Sequence, residues 1–259
     1  MMRWIGGESR ASSYIPTPSR ERAIERLTAA AQAGEPVLTV TGASGSGKSI
    51  VVREALRRLR CPRRLTILIE SPGSADDLAE QLRSGVGLRS GSLENALRLP
   101  KWQGRDCVIA VDSCRALREG VEGSMLLERL RRAAIGSAGT IVFVALDAPF
   151  LDAATIDLPM LTRAEAAIYL ARADSASRPR RGAAIEWRPT AIGWMHAMAR
   201  GSPRWLDWLA DRARDAAIEA ESKGSVVIID EEWLERHRDR LWSLEAERLA
   251  GVETLSDLW

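Results

Sequence analysis

The sequence predicts an α/β fold: a five-stranded parallel sheet sandwiched by helices, followed by a C-terminal α-helical lid. Three observations carry the prediction. Near-continuous β-branched runs alternate with helical segments up to about Pro159, as in a parallel sheet buried on both faces. The first long run opens into a Gly/Ser-rich loop that leads straight into a helix. From Leu161 the strand signal gives way to helical periodicity. The domains expected are an N-terminal arm (1–17), an α/β domain (18–160) and a helical domain with a C-terminal tail (161–259).

Residues 1–17 are rich in Ser, Pro and Gly and read as an irregular arm. Thr17-Pro18 supplies an N-cap and a first helical residue. Ala23, Ile24, Leu27 and Ala31 recur at helical spacing until Gly34. Val37–Thr41 is a strand, and a helix follows from Ile50. Leu65–Glu70 is a second strand, and Ser74–Leu82 a helix with Asp76 and Asp77 in its first turn. The region 84–104 is Gly/Ser-rich around a short apolar segment. Asp106–Asp112 is a third strand, Met125–Ala134 a helix, Thr140–Ala145 a fourth strand and Ile156–Pro159 a short fifth. Thr162–Ala171, Thr190–Ala199, Ser202–Ala220 and Glu231–Leu249 read as helices of the lid. Of nine tryptophans, seven fall at or after Trp187. Those on the lid helices (Trp194, Trp205, Trp208, Trp233, Trp242) suit a packed helical core better than a ligand cage.

Composition narrows the setting. Among 259 residues, 46% are hydrophobic and the charges cancel to +2, so a sizeable core is expected and a polyanionic partner is not demanded. No apolar run is long enough to span a membrane, and Met1–Gly7 lacks the apolar core of a signal peptide, so a cytoplasmic location is expected. The three cysteines and two histidines are too few and too scattered for a disulfide framework or a zinc site.

The loop Gly42-Ala43-Ser44-Gly45-Ser46-Gly47-Lys48-Ser49 fits the pattern G-x-x-x-x-G-K-S. Its glycines let the backbone turn its N–H groups onto phosphate oxygens, and the helix opening at Ile50 adds the positive end of its dipole. Lys48 reaches the β- and γ-phosphates, and the Ser49 hydroxyl is placed to ligate Mg²⁺. Val108–Asp112 is a buried strand that delivers one carboxylate to the same edge, where Asp112 would hold Mg²⁺. Tyr14 and Ile15 either flank the base or pack on the first helix.

The order of this loop, Asp112, the strand Thr140–Ala145, Leu158-Pro-Met-Leu-Thr-Arg-Ala-Glu165 and Gly201-Ser-Pro-Arg-Trp-Leu206 resembles AAA+ P-loop ATPases over roughly residues 14–235. It is most similar to the ExeA-type secretion and TniB/MuB-type transposition ATPases. The resemblance implies a lid over an ATP site, with Arg204 as the sensor 2 arginine pointed at the γ-phosphate. The chain also departs from that group. Ser113 stands where a catalytic Glu polarises water, and a hydroxyl is a poor base; Glu70, at the neighbouring strand end, is the candidate substitute. The fourth strand runs into Ala145-Leu-Asp147, with Asp147 a loose candidate for sensor 1. No arginine lies between Asp147 and Leu158 to reach a neighbouring subunit, so Arg129, Arg131 or Arg132 would have to serve.

Together these features imply an ATP- and Mg²⁺-binding protein that acts as a slow ATPase or nucleotide-dependent switch. It would control assembly with protein partners, with a nucleotide-dependent homo-oligomer possible. The alternative is an ATP-dependent DNA-binding ATPase of the transposition type, favoured by the Arg53, Arg57, Arg58, Arg60, Arg63 and Arg64 cluster. That cluster also suits a helix end and a solvated face. The tail Thr254–Trp259 either packs on the lid or docks on a partner.

Overall fold

Strand β2 (Val37–Thr41) is buried at every position, because β-branched residues on both faces of a central strand leave none for water. It belongs to a fully parallel six-stranded sheet in the order β1-β3-β4-β5-β2-β6. The other strands are β1 (Arg3–Ile5), β3 (Arg64–Ile69), β4 (Asp106–Val111), β5 (Gly139–Val144) and β6 (Ala154–Asp157). The helices between them are α1 (Pro18–Gln32), α2 (Lys48–Arg58), α3 (Ala75–Val86) and α4 (Val121–Ile135). The computed structural model describes residues 3–5, 14–92, 95–96, 106–112, 121–135, 139–145, 150, 152–176, 184–220 and 226–241. The chain divides into two units, Met1–Pro159 and Met160–Trp259.

The strand period of two sorts each strand's residues between two cores. Ile67, Ile69, Ile109, Val111, Ile141 and Phe143 join Leu78 and Leu82 of α3 and Leu126, Leu127 and Leu130 of α4. Leu38, Val40, Leu68, Val108, Ala110, Val142 and Val144 join Ile24 and Leu27 of α1 and Val51, Val52 and Leu56 of α2. Each such side chain contributes about 1.5–3 kcal/mol when fully buried, so the sheet is clamped from both sides. Local signals set the helix ends: the Ser74 hydroxyl accepts the Asp77 N–H at 3.1 Å at the start of α3. Thr17 is the N-cap of α1 by backbone, its carbonyl accepting the Glu21 N–H at 2.9 Å, while its side chain makes no cap bond.

The five strands expected are all present, and a sixth comes from the segment read as an irregular arm. Arg3–Ile5 pairs in parallel with Ile67–Ile69 of β3. The open edge of β3 offers N–H and C=O groups that a three-residue strand can cover. On the far side of β4, β5 lies between it and β2, so one strand separates the strand feeding the glycine loop from the strand ending at Asp112.

The second unit contains α5 (Arg163–Ala176), α6 (Pro189–Ala199), α7 (Pro203–Ala220), α8 (Glu231–Arg236) and α9 (Arg238–Leu241). It is not purely helical as expected, because β7 (Ala184–Trp187) and β8 (Val226–Ile229) pair in parallel. In β8, Val227 and Ile229 point inward at 2% and 0% exposure, whereas Val226 and Ile228 face outward. The core of this unit is built from alanines and larger aliphatic residues, among them Ala166, Leu170, Ala191, Met195, Leu206, Leu209 and Ala213. Trp194, Trp205, Trp208 and Trp233 are only half-buried around it, which corrects the expectation that they form it. An indole N–H needs a partner, and the rim provides one: Trp194 Nε1 donates to Glu235, while Trp205 and Trp208 meet edge to face at 5.7 Å.

Ser113, Asp147, Trp242, the apolar segment between 93 and 105 apart from Asn95 and Ala96, the last part of the helix expected over Glu231–Leu249 and the tail Thr254–Trp259 lie outside the described residues. Among the described residues no helix is long and apolar enough to cross a membrane. Cys61 and Cys107 are free thiols.

Candidate functional site

The loop after β2 is shaped by its glycines. Gly42, Gly45 and Gly47 have φ of 143°, 76° and 97°, the region that side-chain-bearing residues avoid. Gly47 is the N-cap of α2, and the first turn of that helix holds no acidic residue to neutralise its positive end. Ser46 is 1% exposed, and its Oγ meets no hydrogen-bond partner among the described residues. Ala43, Ser44 and Gly45 form the outer part of the loop, and Ser49 and Ile50 continue from Lys48 into the first turn of α2.

Lys48 turns back over this loop. Its Nζ donates to the carbonyls of Gly42 at 2.6 Å and Ala43 at 2.9 Å. Burial holds the ammonium below its usual range, and the Asp112 carboxylate opposes that shift, so the two groups sense each other across the strand edge. Asp112 follows β4 directly, is 6% exposed, and is held by its N–H donating to the Ile69 carbonyl at 2.9 Å. A half-buried ammonium parked on carbonyls, beside a helix N-terminus without acids, is a donor set suited to an anion.

Among the described residues no group of three or more His, Cys, Asp or Glu is placed to hold a metal by itself. Mg²⁺ does not need one, since it keeps several waters and takes one or two protein oxygens together with substrate phosphates. Ser49 and Asp112 are the protein oxygens that would hold it. The loop and its donors therefore fit a Mg-polyphosphate, and the bound ion would supply neutralisation of phosphate charge.

Glu70 follows β3, next to Asp112 on the same edge, because Ile69 and Val111 are in register. Its carboxylate is ion-paired with Arg53 of α2. The contact uses Oε1 and leaves Oε2 as a further acceptor. Tyr14 and Ile15 lie before α1. The Tyr14 hydroxyl donates to Glu21 Oε1 at 2.7 Å, and burial, reinforced by Glu21, pushes the phenol above its ordinary range. Arg58 stacks over the Tyr14 ring at 5.7 Å while also binding Glu21 and Glu54.

One residue was missed in the sequence. Arg20 of α1 is 1% exposed. It donates to the Ile15 carbonyl at 3.2 Å, and its Nη2 lies 2.8 Å from where a Cβ on Gly47 would stand. The signal was available: Arg20 continues the apolar stripe of Ala23, Ile24, Leu27 and Ala31, so a charge falls on the buried face of an amphipathic helix. A guanidinium buried there joins the segment before α1 to the phosphate loop.

Arg204 belongs to the other unit. It is the second residue of α7, is exposed, and again follows a helix start without acids. The basic cluster around the end of α2 is largely neutralised. Arg57 pairs with Glu54 at 2.7 Å, Arg58 with Glu21 at 2.7 Å and Glu54 at 2.8 Å, Arg64 with Asp106 at 3.4 Å, and Arg53 with Glu70. On α4, Arg131 pairs with Glu128 at 2.8 Å and Asp152 at 2.6 Å, and Arg132 pairs with Glu128 at 2.7 Å.

Residues 31–152 match the family model of an AAA domain. No curated protein matches the chain. Among solved structures, the ORC1 protein of Aeropyrum pernix in complex with DNA is 21% identical with a TM-score of 0.67, covering 92% of this chain and 68% of that one. The ORC2 protein of Aeropyrum pernix, in ADPNP–ADP complexes, is 13% identical with a TM-score of 0.66, covering 93% and 74%. A Walker-type ATPase of Pyrococcus abyssi is 15% identical with a TM-score of 0.62, covering 96% and 77%. With the glycine loop on β2, Asp112 on β4 and one strand between them, the first unit has the fold of AAA+ P-loop proteins, and residues 31–152 of it match an AAA domain.

Proposed function

We propose that this protein binds Mg-ATP on the Gly42–Ser49 loop and works as a slow ATPase or nucleotide-dependent switch that controls assembly with protein partners. The observation that carries the reading is the Lys48 ammonium, held over the loop carbonyls and sensed by Asp112. Incoming β- and γ-phosphate oxygens are better acceptors for that charge than neutral carbonyls. Ser49 and Asp112 hold the ion, and Arg204 recognises the γ-phosphate, so that ATP and ADP are distinguished. Hydrolysis is in-line attack by water, and positioning does most of the work. Glu70 takes the water's proton, and slowly, because Arg53 competes for its carboxylate. The closer likeness to secretion and transposition ATPases rests on the sequence motifs alone.

DNA binding is the second reading, since the ORC1 protein among the structural neighbours is described in complex with DNA. In this chain the paired arginines around α2 argue against a phosphate-gripping face there. The test is the mass of the full chain in solution by light scattering with Mg-ATP, Mg-ADP or neither, beside ATP turnover in wild type and Glu70→Gln. The reading predicts a larger assembly with Mg-ATP only, and turnover in Glu70→Gln about a hundredfold lower, at the modest end of general-base effects. One mass in all three states would sink the homo-assembly, and unchanged turnover in Glu70→Gln would remove Glu70 as the base. Salt-sensitive retention of DNA that requires ATP would favour the second reading.

A further inference from the structure

The P-loop and the turn before Arg204 are tied to opposite ends of one short linker. Leu158 follows β6 closely, and its N–H donates to the Thr41 carbonyl at 2.9 Å. Gly42 packs so tightly beneath the Leu158 carbonyl that an added Cβ would collide with its oxygen. Three residues later both backbone groups of Leu161 are taken. Its N–H donates to the Gly201 carbonyl at 2.9 Å, and its carbonyl lies 2.8 Å from His196 Nε2. A carbonyl can only accept, so Nε2 carries the proton in that contact.

His196 also acts through its backbone, its carbonyl accepting the Gly201 N–H at 3.1 Å. Arg200 and Gly201 adopt φ of 47° and 71°, a double left-handed step that brings Gly201 against Leu161. A side chain at Gly201 would strike the Leu161 oxygen and crowd His196 Nε2. Ser202 and Pro203 follow immediately, and Arg204 is the next residue. Leu158 and Leu161 are buried at 1% and 3%, while Pro159 and Met160 between them are less enclosed. Pro159 has a fixed φ and restricts Leu158 to extended backbone.

We propose that His196 is a positioning residue: its Nε2–H joins the Gly201–Arg204 turn to Leu161, confining the hinge between the P-loop and Arg204 to Pro159–Met160. Arg204 is thereby presented by a turn that cannot drift independently of the linker. This rests on the proposal that Arg204 recognises the γ-phosphate. His196 touches no nucleotide in this account. Its effect passes through Leu161 and the turn, and it falls on ATP and not on ADP.

The test is calorimetric titration of the full chain with Mg-ATP and Mg-ADP, in wild type, Arg204→Ala, His196→Leu, His196→Asn and His196→Gln. Loss of Arg204 is expected to lower the preference for ATP over ADP about tenfold or more, the scale of a charge-assisted hydrogen bond. His196→Leu and His196→Asn are expected to lower it about fivefold while ADP affinity stays within about twofold, because a neutral hydrogen bond is worth less. His196→Gln places an amide nitrogen near the Nε2 position and is expected to restore the preference. His196→Asn, polar but too short, serves if the leucine variant does not fold. Equal loss of ATP and ADP affinity in His196→Asn, or an unchanged preference there while Arg204→Ala loses it, overturns the role of His196. An unchanged preference in Arg204→Ala overturns the reading of Arg204, and the inference with it.

Discussion

The Gly42–Ser49 loop and the Gly201–Arg204 turn solve similar geometric problems for different ends. Each begins with a glycine of positive φ pressed against a linker carbonyl, and each leads into a helix whose first turn lacks acids. The P-loop keeps a charged side chain parked on its own carbonyls, an arrangement that an anion can take over. The turn before α7 spends its backbone bonds on Leu161 and His196, an arrangement that holds a position. The difference teaches that a loop built to receive a ligand carries exchangeable bonds, while a loop built to present a residue carries committed ones.

That comparison can be broken first at its two glycines. Gly42→Ala and Gly201→Ala should each cost about 2–4 kcal/mol of stability, from left-handed strain plus collision with a backbone oxygen. Their functional effects should separate. Gly42→Ala should weaken both nucleotides about 100-fold, since the backbone cradle itself shifts. Gly201→Ala should spare ADP affinity and lower ATP affinity. Melting curves and titrations of the two variants check this, and matched losses of ADP affinity would erase the contrast.

A smaller effect sharpens the claim that the basic cluster around α2 is structural. Arg57, and then Arg58, pushes the Glu54 carboxyl down to about 2 through hydrogen bonds, partly opposed by burial. A carboxylate whose folded pKa is depressed adds stability above its unfolded value, and loses it as pH falls from about 4.5 through about 2. Because the Arg57 side chain is 65% exposed, solvent screens the pair and its contribution to stability is small. Acid unfolding should show that loss in wild type, and Glu54→Gln should be less stable near neutrality with a flatter acid limb. Identical limbs would mean that the network contributes nothing.

The sequence made the P-loop unit legible because its signals are local. Val37–Thr41 is a run rich in β-branched residues, residues 107–111 are uninterruptedly apolar, and the loop motif follows its strand directly. What escaped depends on partners far along the chain. Arg3–Ile5 is three residues long and becomes a strand only because β3 offers an edge. Ala184–Trp187 and Val226–Ile229 become a sheet only by meeting each other. At the site, Lys48 and Asp112 were readable from spacing, whereas the Arg53 guanidinium on Glu70 was not, because a helix face and a strand end meet only in three dimensions. Arg20 stood between these cases: its place on the apolar stripe of α1 was visible, but its approach to Gly47 was not.

The most direct test of the account is titration of wild type and Lys48→Ala with Mg-ATP, each checked for an unchanged melting temperature. If the ammonium makes two charge-assisted bonds to phosphate as proposed, its removal should weaken binding about 100-fold or more. Wild-type affinity in Lys48→Ala would contradict the claim that the Gly42–Ser49 loop is the nucleotide site.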